Sequence, residues 1–196
     1  MEQEVDIISI SWGLDDCIPP IEKAIEKAVD KGILVFAAAA NHGANKSIAF
    51  PARMSSVFCI GAADGKGVPA GFNPPFLDVE KYSALGVAVK GACCGTRNWY
   101  ELREGTSTAT PIAAGIAALL LESIRQTREV TRTEIRSIMK SFFRAISSAT
   151  KGGTYRYLTP WTLLDGKSLR DSIDSVFKNP PGMHLTLDRQ LTSNRS

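Results

Sequence analysis

Apolar and polar positions follow two different periods along the chain. Val5-Asp6-Ile7-Ile8-Ser9-Ile10-Ser11 is rich in β-branched residues around an apolar centre and predicts a strand. Pro19-Pro20 then opens a stretch in which Ile21, Ala24, Ile25, Ala28 and Val29 recur at helical spacing. Glu22, Lys23, Glu26, Lys27 and Asp30 fill the opposite face, and Gly32 ends the pattern. Ile33 to Ala40 is a continuous apolar run, as a strand covered on both faces requires. Strand, helix and strand in that order predict a parallel sheet with helical crossovers, an α/β fold.

Val57 to Ala62 reads as another buried strand, and Gly86 to Gly91 as a short one. Residues 64–83 are rich in Gly, Pro and Asn and read as a long loop. An apolar helix is expected over about 108–123. Ile112 to Leu119 leave it no polar face, so it should be buried, its small residues letting strands approach closely. The apolar run near 112–121 is too short to span a bilayer. An amphipathic helix over about 131–146 places Ile135, Ile138, Met139 and Phe142 on one face. Lys151-Gly152-Gly153 breaks the chain, and a further helix over 167–178 carries Leu169, Ile173, Val176 and Phe177. After Pro180-Pro181-Gly182 the sequence is polar. The expected organisation is a main domain at 1–150, a short extension at 151–178 and a disordered tail at 179–196.

Composition narrows the class. The chain has 196 residues, 44% hydrophobic and 22% charged, enough for one sizeable core. Its 23 basic and 20 acidic residues leave a dispersed net charge of +3, which gives no ground for a nucleic-acid or membrane partner. Met1-Glu2-Gln3-Glu4 is not a secretory leader's basic start. Cys17, Cys59, Cys93 and Cys94 lack zinc-site spacing and read as free thiols of an intracellular, cytoplasmic protein. No acidic cluster has calcium-loop spacing, and neither metal nor cofactor is expected.

Three short segments carry candidate chemistry. Ser107 stands at the start of the apolar helix in Gly105-Thr106-Ser107-Thr108-Ala109-Thr110-Pro111. It could cap that helix, or present a nucleophilic hydroxyl to a cleft where the helix dipole favours developing negative charge. Pro111 suits a first turn, where losing a donor costs least. Asn41 follows the 33–40 run and is either a turn residue or a donor beyond the carboxyl end of a parallel strand, where ligands bind. Facing a serine nucleophile, its amide and the Ser107 N–H could hold an oxyanion. Ser11-Trp12-Gly13 is either a strand end or an extended edge that pairs with a peptide backbone.

In this order the three segments resemble those of the subtilisin-like serine peptidases. Residues 5–13 look like that family's substrate-binding strand, Ala37 to Gly43 like its oxyanion-hole segment and Gly105 to Pro111 like its nucleophile signature. Phe50-Pro51-Ala52 is similar to the segment that follows the oxyanion asparagine, and the resemblance covers about residues 5–145. It implies a three-layer parallel-sheet fold, present as its C-terminal part. It implies Ser107 as nucleophile, Asn41 as oxyanion donor, and Ser11, Trp12, Gly13, Ala39 and Ala40 as peptide-binding residues. The substrate would be a peptide or protein. Three positions depart from the pattern: Ala40 and Ile112, where the family usually has Gly and His, and Thr110, where it usually has Ser. Ala40 narrows the pocket expected beside the nucleophile. Phe72-Asn73-Pro74-Pro75 is similar to loops of subtilisin-like domains within larger intracellular fungal proteins.

A serine hydroxyl needs a base. The resemblance places the catalytic Asp and His upstream of the substrate-binding strand, which here begins at Val5. His42 adjoins the oxyanion donor, on the wrong side of a reacting carbonyl, and His184 falls in the polar tail. The expectation is therefore a peptidase domain's C-terminal half, inactive alone and partnered by a missing N-terminal half or other domains. The alternative is a non-catalytic recognition or scaffold module that retains the fold.

Overall fold

The structure, a computed structural model, describes residues 4–75, 81–92, 100–150, 155–163 and 169–178. Its elements in chain order are β1 (Ile7–Ile10), α1 (Pro19–Asp30), β2 (Leu34–Ala38), β3 (Phe58–Ala63), β4 (Lys81–Leu85), β5 (Val89–Ala92) and β6 (Tyr100–Arg103). Then come α2 (Thr106–Thr127), α3 (Ile135–Ala145), β7 (Ser147–Ala149), β8 (Arg156–Leu158) and α4 (Leu169–Lys178).

The first crossover forms as its periodicity dictates. Prolines in its first turn preset α1's φ angles, and β1 runs parallel to β2 with Ile7 opposite Leu34. The main sheet has the order β1-β2-β3-β4-β8-β7, in which β7 alone runs antiparallel to its neighbour. Alternate residues of β2 feed two cores. Leu34 and Phe36 pack with α2, α3 and α4, whereas Val35 and Ala37 pack with Ile25 of α1, Ile48 and Cys59. All five β2 residues are buried. Three layers result, helices on both faces of a largely parallel sheet. Phe36 stacks on Phe58 at 4.8 Å, and Phe143 of α3 meets Tyr82 edge-on at 5.1 Å.

Several expectations change. Lys81 to Ser83, within the loop expected over 64–83, instead open β4, with Lys81 and Ser83 buried. Their polar side chains concealed a central strand. β5 pairs antiparallel with β6 in a separate two-stranded sheet, and β8 follows the expected boundary at 150 yet lies between β4 and β7. α2 begins at Thr106 and extends to Thr127, so Pro111 falls inside the helix rather than in its first turn. At 22 residues α2 does have the length and apolarity of a bilayer span, although here it packs along the sheet. It is not buried all round. Ala109, Ala113 and Ala117 are fully enclosed, whereas Pro111 and Gly115 are exposed and Leu119 is 71% exposed, because only the sheet-facing side is covered. Cys17 is exposed and unbridged, and burial pushes the Cys59 thiol up to about 12. Cys93, Cys94, His184 and the tail at 179–196 lie outside the described residues.

Candidate functional site

β2 ends at Ala38, and the chain continues through buried Ala39 to Ala40 and Asn41 at the sheet's carboxyl rim. Ala40 has φ +110°, a conformation that disfavours any side chain. It is held there from both sides. Its N–H donates to Thr106 Oγ1 at 3.2 Å, and the Ala39 carbonyl accepts from Ala49 N–H at 3.0 Å. Asn41 Oδ1 accepts from the Thr106 N–H at 2.9 Å. That bond orients the carboxamide and leaves Nδ2 as a donor with no acceptor among the described residues.

The helix cap is thus supplied from 65 residues upstream. The residue at the N-cap is Gly105, and Ser107, the second helical residue, makes no capping bond, which removes the capping reading. Thr108 and Ala109 N–H both donate to the Gly105 carbonyl. Ser107 N–H has no acceptor among the described residues, so one first-turn amide is left facing outward. Ser107 itself is half-buried.

Gly105 brings the groups together. Its φ is +142°, and a Cβ added there would lie 3.0 Å from Ser107 Oγ and 3.1 Å from Asn41 Nδ2. Hydroxyl and carboxamide therefore flank one small volume, which any side chain at position 105 would fill. A hydroxyl, a side-chain amide and a helix-terminal N–H beside one small volume are the groups that acyl transfer through an oxyanion requires.

Residues 11–14 lie next to this volume, joined to it by one hydrogen bond. Ser11 Oγ donates to the Ser107 carbonyl at 2.9 Å, and Trp12 is 49% exposed. Leu14 and Phe50 exchange backbone hydrogen bonds at 2.8 and 2.9 Å. A Cβ on Gly13 would come within 2.5 Å of the Ala49 methyl, so only glycine permits this approach. Ala49 and Phe50 thus tie Leu14 to Ala39. His42 is exposed and close enough to Asp15 to help lower that carboxylate's pKa, after the larger effects of Lys46. Ser107 Oγ has no hydrogen-bond partner among the described residues.

Two supporting residues escaped the sequence reading. Thr106 is 1% exposed and joins both halves of the site through its amide and hydroxyl. Asn73 bonds the Ala62 backbone in both directions, at 2.9 and 2.7 Å, beside Phe72, whose carbonyl holds Gly43 N–H. Neither had a local signal, since the partners are remote in sequence.

Comparison with known proteins identifies the family and the fold. The subtilase family, peptidase class S8, matches residues 1–154. The chain is 37% identical over 120 residues to a thermostable alkaline protease of Halalkalibacterium halodurans, covering 61% of this chain and 32% of that protein. It is 31% identical over 153 residues to the minor extracellular protease Epr of Bacillus subtilis, covering 78% of this chain and 23% of Epr. With subtilisin DY of Bacillus licheniformis it shares 37% over 120 residues, 60% of this chain and 43% of the subtilisin. The chain thus spans less than half the length of these curated relatives. The prenylagaramide maturation protease PagA shares the fold with a TM-score of 0.68 at 24% identity, over 86% of this chain and 61% of its own. A mutant of the protease domain of PatA does so at 0.67 and 27%, over 82% and 60%.

Proposed function

The chain belongs to the subtilase family, and on that premise we propose that it carries the nucleophile and oxyanion-hole half of a serine endopeptidase site. A peptide lies extended along residues 9–13, and Ser107 Oγ attacks the carbonyl of the bond to be cleaved. The resulting oxyanion is held by Asn41 Nδ2 and Ser107 N–H, the amine leaves, and water hydrolyses the acyl-enzyme. The observation that carries this reading is the convergence of Ser107 Oγ and Asn41 Nδ2 on the space beside Gly105. A general base and its orienting carboxylate come from polypeptide beyond the described residues. β1 forms one edge of the sheet and the outer face of α2, with Leu119 exposed, is apolar and uncovered among the described residues, and both suit a segment that docks there with those groups.

The test is covalent labelling. The purified chain is treated with a fluorophosphonate, with and without added imidazole as an external base, and the modified residue is located by mass spectrometry. Slow labelling confined to Ser107 and accelerated by imidazole is expected, with none in Ser107→Ala. Asn41→Ala should slow it towards the roughly 10²–10³-fold loss known for such a donor in subtilisin, a borrowed magnitude. Labelling that ignores both substitutions, or that falls elsewhere, would leave a recognition module on the same fold.

A further inference from the structure

Pro111 stands four residues after Ser107 inside α2. In an unbroken helix the amide at 111 would donate to the Ser107 carbonyl, but proline has no N–H, and its ring presses against the carbonyl four residues earlier. The Ser107 carbonyl therefore lacks the donor four residues on. It is not left unsatisfied. Ser11 Oγ, 96 residues away in sequence and at the end of β1, donates to it at 2.9 Å.

We propose that Ser11 and Pro111 form a clamp in which Ser11 is the positioning residue of the nucleophile. Proline opens one rung of the helix ladder at the reacting serine, and the Ser11 hydroxyl closes it from the peptide-binding segment. The orientation of Ser107 is then set by the Ser11 segment rather than by the helix alone. Ser11, expected from sequence to belong to an edge that pairs with a peptide backbone, directs its side chain to Ser107. Because the bond is exposed, water competes for the carbonyl, so its effect is on geometry more than on stability. A displacement of residues 11–13 by a bound peptide reaches the Ser107 backbone directly through this hydrogen bond.

This inference rests on the endopeptidase reading, and its test separates the two. In the full chain, Ser11→Ala, Ser11→Thr, Pro111→Ala and the Ser11→Ala/Pro111→Ala double variant are compared by the carbonyl ¹³C resonance of Ser107 and by the fluorophosphonate labelling rate. Ser11→Ala should shift the resonance upfield and slow labelling by roughly tenfold or more, as small misplacements of reacting groups do. Ser11→Thr, which keeps the hydroxyl, should restore both. With Pro111→Ala, the new amide supplies the missing donor, so adding Ser11→Ala should change little. An unchanged resonance in Ser11→Ala, or an equal Ser11→Ala effect with and without Pro111, overturns the clamp. If the resonances respond as expected while no variant labels at Ser107, wild type included, the clamp stands and the endopeptidase reading falls.

Discussion

At the scale of single residues, Ala40 shows how a small substitution is constrained by its surroundings. Its positive φ costs a non-glycine residue about 1–3 kcal/mol, whereas glycine's extra unfolded-state freedom costs about 0.5–1 kcal/mol. Ala40→Gly should therefore stabilise the chain by about 1 kcal/mol net, seen as a higher urea midpoint at unchanged slope. A lower midpoint would mean that the Ala40 methyl's packing outweighs the strain. The candidate site was legible at this scale in its residue types. Ser107, Asn41 and Ser11 stand in short recognisable segments, whereas Thr106 and Asn73 act through partners that no local pattern displays.

At the scale of elements, one ion pair fastens the sheet edge to the helix layer. Asp6, just before β1, accepts from both terminal nitrogens of Arg125 on α2, at 2.6 and 2.8 Å, with Arg132 at 3.8 Å. The hydrogen bonds from Arg125, with its charge and that of Arg132, hold the Asp6 carboxyl below its usual value against a modest opposing effect of burial. A depressed folded-state pKa contributes stability that is fully present above the unfolded value and is lost as pH falls through the folded one. The loss should begin below about pH 4. Asp6→Asn should lower the midpoint at pH 7 and flatten its dependence below that point, measured by urea unfolding across pH. Parallel acid profiles for both proteins would remove the pair from the account. Elements with strong periods were readable from sequence: β1, α1, β2, α3 and α4 lie within a few residues of expectation. β4 was not, since buried Lys81 and Ser83 break the apolar run that marks a central strand.

At the scale of the whole molecule, the side of α2 left uncovered by the described residues is the least self-sufficient feature. Gly115 sits in the helix interior, exposed, with nothing within 4 Å of an added Cβ. Glycine there costs the isolated helix about 1 kcal/mol against alanine and brings no packing within the described residues. Leu119, one turn on, is 71% exposed. Gly115→Ala should raise the chain's thermal midpoint, while Leu119→Lys should reduce concentration-dependent association measured by sedimentation. Both substitutions should weaken capture of a segment that docks on this face. Undiminished association in Leu119→Lys would exclude the face as its cause.

The sequence by itself determined the period of each strongly patterned element, the parallel crossover from β1 to β2, and which residue types could perform acyl transfer. These follow from local propensities and spacings, because they depend on neighbours in the chain. Tertiary structure alone decided that Asn41 caps α2 from afar, that Gly105 leaves one volume for hydroxyl and carboxamide, and that Ser11 replaces the donor missing at Pro111. It also decided which side of an all-apolar helix is covered, since a helix without a polar face carries no signal of which way it will turn.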